Sequence, residues 1–301
     1  NTRLARCWDR ATETTQASTL MARAEDYRLG TVPLPVTVLT AAIDTQGDRL
    51  EVKVVGWADA MECWIVDYRI INADPSDEAT WKQAYDLLTV PYAHAGGSTI
   101  LVSQIFVDSG GLHTQEVYNF TMRAKAKGFF PIKGDARPDR PIIPTRPSQT
   151  DYKYNGKLVK KGVTLWHIGT DTAKDYLYAR WKRAEGQGAV HFSHDLPEDY
   201  YSQLVSEFRA SKWVNGKKKS YWDKKKQDRN EALDLMVYNL AAAYKLGLHR
   251  LTSAQWKKRH EKLLTEQPQS VEIVEEVKPP QEVKKKIRLK PRGRFNAQTW
   301  N

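Results

Sequence analysis

Three aspartates in this chain stand where carboxylates can do metal chemistry. Asp44 closes a β-type run, Val36–Asp44, just before the turn residues Thr45-Gln46-Gly47-Asp48. Asp108 follows a nearly continuous apolar run, Thr99–Val107, and precedes Ser109-Gly110-Gly111. A carboxylate at a strand end is held rigidly, and small residues after it leave room for a substrate. If the two strands are neighbours, both side chains can reach one site at the sheet edge. Two carboxylates forced close repel each other unless a cation lies between them, and oxygen ligands suit a hard ion such as Mg²⁺ or Mn²⁺. The third is Asp234, between Ala232-Leu233 and Leu235-Met236-Val237. It is expected two turns inside a helix spanning Asn230–Leu246, where Asp lowers helix propensity and cannot cap the end. Asp228 and Glu231 have the spacing of a capping box, so Asp234 calls for another role, and coordination supplies one. Taken singly, Asp44 and Asp108 also fit as turn formers, and Asp234 as a solvent-facing or salt-bridged residue.

The surrounding pattern positions these acids. Strands over Leu50–Ala58 and Cys63–Ile71 follow the first one as an antiparallel meander. Glu51 and Lys53, then Asp67 and Arg69, are expected to point one way, with Val52, Val54, Val66 and Tyr68 pointing the other. A helix over Asp74–Tyr92, capped by Ser76 or Asp77, leads to the apolar fourth strand. A helix at Thr114–Lys127 and a strand at Phe129–Lys133 come next. This order predicts an α/β fold with a mixed sheet flanked by helices. Pro138–Asp151 reads as a loop and Tyr152–Ile168 as a hairpin turning at Asn155-Gly156. Thr172–Glu185 and Pro197–Ala210 read as helices. Lys212–Arg229 holds eight Lys or Arg interleaved with Trp213, Tyr221 and Trp222. Residues 1–30 are expected to be a linker or docking arm, 31–250 the main domain, and 251–301 a C-terminal helix with a flexible basic tail. In that tail Lys284–Arg294 carries seven basic residues.

The formal net charge of +11 over 301 residues points to a polyanionic partner, most commonly nucleic acid. No stretch approaches the roughly 20 apolar residues of a membrane helix, so no membrane partner is expected. No secretion signal opens the chain. Cys7 and Cys63 are too few and too far apart for a disulfide framework or a zinc site, and fit a reducing compartment. The start at Asn1 rather than Met is expected of a piece of a longer polypeptide.

Meander, helix, strand, helix, with acids on strands one and four and on a late helix, resembles the RNase H-like nuclease plan. The local wording goes further. Ala41-Ala42-Ile43-Asp44-Thr45-Gln46, Val55-Gly56-Trp57 and Phe106-Val107-Asp108-Ser109-Gly110-Gly111 resemble the lambda-type phage terminase large subunit. So do Phe130-Pro131-Ile132-Lys133-Gly134, Ile168-Gly169-Thr170-Asp171-Thr172-Ala173-Lys174-Asp175 and Asn230-Glu231-Ala232-Leu233-Asp234. The resemblance covers about residues 30–247. It implies a nuclease domain whose metal-holding, catalytic acids match Asp44, Asp108 and Asp234. It also implies two divalent ions, Mg²⁺ or Mn²⁺, with one activating the attacking water and the other stabilising the leaving 3′ oxygen. Double-stranded DNA is the implied substrate, and the cytoplasm of an infected bacterial host the implied location. Implied partners are an ATPase domain of the same polypeptide, a terminase small subunit and, through the C-terminal tail, the portal protein. No G-x-x-x-x-G-K-[ST] phosphate loop occurs in the 301 residues, so no ATPase site is expected in this chain. Candidate DNA contacts are Lys133, Lys217, Lys218, Lys219, Lys224, Lys225, Lys226 and Arg229. The alternative reading is a non-catalytic module that docks the motor on DNA or the portal.

Overall fold

The apolar runs become a nine-stranded mixed sheet covered on both faces. The computed structural model describes residues 15–265 other than 138, 155 and 215; the Lys284–Arg294 tail lies outside the described residues. The chain order is helix α1 (Ala17–Met21), strands β1 (Ala24–Glu25) and β2 (Thr31–Val32), then the meander β3 (Val38–Thr45), β4 (Leu50–Trp57) and β5 (Cys63–Ile71). Helix α2 (Glu78–Thr89) follows, capped by Asp77, whose carboxylate accepts from the Ala79 N–H at 2.9 Å. Next come β6 (Tyr92–His94), β7 (Thr99–Ile100), β8 (Val102–Asp108), α3 (Thr114–Ala124) and β9 (Phe129–Asp135). A hairpin, β10 (Ser148–Tyr154) and β11 (Lys157–Gly169), precedes α4 (Thr170–Trp181), β12 (Val190–Ser193) and α5 (Glu198–Leu204). A second hairpin, β13 (Glu207–Val214) and β14 (Lys217–Lys224), leads to α6 (Glu231–Lys245) and α7 (Ser253–Thr265).

The large sheet runs β1-β12-β5-β4-β3-β8-β9-β11-β10. Its centre, β5-β4-β3-β8-β9, is the antiparallel meander joined through parallel β3–β8 and β8–β9 pairs. That is the predicted RNase H-like arrangement. Side-chain alternation sorts the core into two layers. Val38 and Ala42 of β3, Val55 and Trp57 of β4, and Phe106 of β8 pack with α4, α5 and α6. Leu39, Ala41, Ile43, Val52, Val54, Ile105 and Val107 pack on the opposite face with α2 and α3. Helix α6 lies across β3, β4 and β8.

Four sequence expectations change. Of residues 1–30, expected as a linker or arm, the described part packs on the domain: β1 pairs in parallel with β12, and Leu20 is buried in the core. The Thr99–Val107 run splits into β7 and β8 around Leu101, whose side chain turns outward. Only Glu198–Leu204 of the expected Pro197–Ala210 helix is helical, because the chain from Glu207 pairs across to β14 instead. Finally, Glu51 and Lys53 do not share a face with Asp67 and Arg69. Lys53 pairs with Tyr68, Val54 pairs with Asp67, and an irregularity follows at Val54/Val55. Glu51 and Lys53 themselves are fully buried, Lys53 against Tyr200 of α5 and the Ala232 carbonyl of α6.

Candidate active site

Alternation and register bring the first two acids together. Asp44 shares the α6-facing side of β3 with Ala42, and Asp108 shares that of β8 with Phe106. Ile43 is paired with Val107, so the next residues on the two parallel strands are Asp44 and Asp108. The strand ends are tied: the Thr45 hydroxyl donates to the Asp108 carbonyl at 3.1 Å. The Ser109 hydroxyl and N–H both donate to the Ile132 carbonyl, at 2.7 and 2.9 Å. Gly111 packs so closely that a Cβ would meet the Thr45 carbonyl oxygen at 3.3 Å, which is why this turn is built from small residues. Asp234 arrives from α6, and all three carboxylates line one open cleft of about 540 Å³ with Gln46, Lys133 and Tyr238.

Asp234 sits in the first turn of α6, not two turns in as expected, because the helix begins at Glu231. The capping box does not form either. Asn230, the residue at the helix start, makes no side-chain cap of its own; its amide donates instead to Asp234 Oδ2 at 2.8 Å. The Ala232 N–H is taken by Gln203 Oε1 at 3.1 Å, and Glu231 turns to Arg49 and Arg229.

The three acids sit in an environment hostile to their own charge. Burial pushes the Asp44 pKa well above the usual carboxylate range, and the charges of Asp234 and Asp108 push it further, against a hydrogen bond from Gln46 at 2.7 Å. Burial raises Asp108 to about 6, although the N–H groups of Gly110 and Ser109 and the Lys133 ammonium oppose the shift. Asp234 rises to about 7, again chiefly through burial, with Lys174 opposing and Glu207 and Asp108 adding to it. Tyr238, one turn beyond Asp234, has its hydroxyl pKa raised by burial and then by the three aspartates. Among the described residues, no three or more His, Cys, Asp or Glu side chains are gathered tightly enough to cage an ion as they stand. Each carboxylate instead has a donor of its own, from Gln46, Gly110 or Asn230. Three carboxyl side chains lining one cleft have the oxygen donors that suit a hard divalent cation, provided each gives up its proton.

The expected DNA contacts divide. Lys133 is exposed at the cleft. Lys217, Lys218 and Lys219 open β14, and Lys225 and Lys226 follow it on the surface. On the facing strand Trp213 is 74 % exposed. Lys224 is turned inward, donating to the Asp228 carbonyl at 2.6 Å. Arg229 is exposed yet engaged by carboxylates: its guanidinium bonds Glu51 at 2.5 Å and Glu231 at 3.2 Å. Sequence reasoning assigned no role to Lys174, Glu207, Asn230 and Tyr238. Lys174 and Asn230 lay within the quoted motifs, whereas Glu207 was hidden in a stretch expected to be helix.

Comparison with known proteins agrees with this architecture. A family model described as the terminase large subunit gpA endonuclease domain matches residues 1–256, and the chain belongs to that family. It is 36 % identical over 270 residues to the terminase large subunit of Escherichia phage lambda, a match that covers 85 % of this chain and 39 % of that protein. It is 37 % identical over 255 residues to the terminase large subunit of Enterobacteria phage P21, covering 80 % of this chain and 38 % of the relative. The chain thus spans about two fifths of the length of these relatives. No solved structure gives a significant match. Among the described residues no helix is long and apolar enough to cross a membrane.

Proposed function

We propose that this chain is a divalent-cation-dependent endonuclease that cuts concatemeric double-stranded viral DNA during genome packaging. The observation that carries the reading is the convergence of Asp44, Asp108 and Asp234 on one cleft, all held toward the protonated state by burial. Two ions, Mg²⁺ or Mn²⁺, would be held there by these three side chains, and when bound they supply water activation and charge neutralisation at the scissile phosphate. The protein's own contribution is placement. The β3–β8 register fixes Asp44 beside Asp108, and the Ser109-Gly110-Gly111 turn keeps bulk away from the cleft. Lys133 stands where it can meet a phosphate oxygen, and the lysines of the second hairpin follow the backbone without reading sequence.

In this reading, sequence specificity comes from a terminase small subunit, and translocation from an ATPase domain of the same polypeptide. The C-terminal tail docks on the portal, and the reaction runs in the cytoplasm of the infected host. The basic, aromatic hairpin would equally serve a module that only docks on DNA, so the test must separate the two. Supercoiled plasmid is incubated with the chain in Mg²⁺, Mn²⁺ or EDTA, beside Asp44→Ala and Asp234→Ala. Metal-dependent nicking and linearisation, lost in both variants, is the expected result. DNA binding with no cleavage in either metal would favour the docking module.

A further inference from the structure

A buried ion pair beside the cleft has no part in the reading above. Lys174 on α4 is 8 % exposed, and Glu207, the first residue of β13, is 5 % exposed. A buried ammonium demands a counter-charge, because taking it out of water is costly. Lys174 has two acidic ion-pair partners and uses them unequally, with Asp171, one turn earlier on α4, adding a longer-range attraction. Glu207 grips its Nζ with both oxygens, at 2.7 and 2.8 Å, while Asp234 Oδ1 lies at 3.7 Å, an ion pair without a hydrogen bond. Glu207 also accepts from Asn230 Nδ2 at 2.9 Å, and the same amide reaches Asp234 Oδ2 at 2.8 Å. An amide NH₂ has two hydrogens, so Asn230 can serve both acids at once. The backbone of Glu207 is fixed separately, its carbonyl accepting from the Tyr178 hydroxyl at 2.7 Å. A side-chain change at Glu207 therefore leaves the root of the hairpin anchored.

We propose that Glu207 is a positioning residue for Asp234: it holds the Lys174 ammonium off that carboxylate, braces Asn230 against it, and so keeps the cleft able to take a divalent cation. The inference rests on the metal reading of Asp234. Without Glu207, the shortest move that satisfies Lys174 is onto Asp234 Oδ1. A lysine paired there opposes a cation twice, by occupying a ligand oxygen and by placing like charge beside the ion.

The test is a Mn²⁺ titration of the 301-residue chain, followed by the electron paramagnetic resonance signal of the free ion. Glu207→Ala, Glu207→Gln and the double variant Glu207→Ala/Lys174→Met are compared with wild type, and thermal melts report folding. Glu207→Ala is expected to weaken Mn²⁺ binding about 10–100-fold, the range for losing a group that orients a metal ligand. Glu207→Gln keeps the shape and one acceptor, and is expected to lose less. Removing Lys174 as well is expected to restore most of the affinity, because the competitor has gone. A double variant as weak as Glu207→Ala would reduce Glu207 to a structural role and overturn the inference. If Glu207→Ala fails to fold, Glu207→Gln decides: wild-type affinity there overturns the inference alone. No Mn²⁺ binding by the wild type would overturn the metal reading and this inference together.

Discussion

Replacing Asp234 by Asn should stabilise the cation-free protein while removing its response to cation. The Asp234 carboxyl is held at about 7 against an ordinary 3.8, mainly by burial. The folded state therefore binds its proton more tightly than the unfolded chain does. That contribution to stability is complete below about pH 4 and is lost as pH rises to about 7. The difference between about 7 and 3.8 sets a ceiling of about 4 kcal/mol at pH 8. With 24 % of the side chain reaching solvent at the cleft, screening brings the expected gain to roughly 1–2 kcal/mol. Asn can still accept from the Asn230 amide, so the local hydrogen bond survives the change. In EDTA at about pH 8 the variant should melt about 2–8 °C above wild type for a domain of this size. The gap should close on acidification toward pH 4. Added Mn²⁺ should raise the melting temperature of wild type and leave the variant nearly unmoved. A variant that melts below wild type by the same amount at both pH values would refute the reasoning, since it would make Asp234 an ordinary structural acid.

Other consequences follow from the same geometry. Mn²⁺ affinity should fall on acidification through about 7 and 6, where Asp234 and Asp108 take up protons, and calorimetry in buffers of different ionisation enthalpy should show proton release on binding; affinity independent of pH across that range would contradict it. Lys219→Ala and Lys225→Ala should each lower the slope of log K against log salt for duplex DNA by about 0.9 with little change in stability. Arg229→Ala should act oppositely, costing about 1–3 kcal/mol in denaturant unfolding because the fully buried Glu51 loses a partner, with a near-normal salt slope. Gly169→Ala should cost about 1–3 kcal/mol, since its Cβ would run into the Pro141 and Arg140 carbonyl oxygens; unchanged stability would mean that the loop before α4 gives way freely.

What was legible in the sequence is what alternation and turn chemistry control locally. Asp44 and Asp108 could be placed at strand ends because an apolar run ends at each and small residues follow Asp108, while the adjacency of the two strands was a condition that the β3–β8 pairing meets. The order of elements along the chain was readable for the same kind of reason, as was a cap at Ser76 or Asp77, of which Asp77 serves. Asp234 was identified from its apolar surroundings, but its depth in the helix was misjudged. The helix starts after Asn230, where the Ala232 N–H and the Glu231 carboxylate are met by Gln203 and Arg49 from distant segments and by the neighbouring Arg229. Arg229 looked like part of a basic surface because its partner Glu51 lies 178 residues away. Glu207 and Lys174, 33 residues apart, belong to elements whose meeting depends on how α4 and the hairpin pack. Helical periodicity over Pro197–Ala210 gave way at Glu207 to cross-strand pairing, a tertiary choice that local pattern does not encode.

The central claim, that Asp44, Asp108 and Asp234 together hold divalent cation, is tested most directly by crystals of the chain grown or soaked in Mn²⁺ and measured for anomalous scattering. Density between the three carboxylates, with Asp44 and Asp234 turned from Gln46 and Asn230 toward it, is the predicted result. A well-ordered cleft with no anomalous density, in protein that binds Mn²⁺ elsewhere, would contradict it.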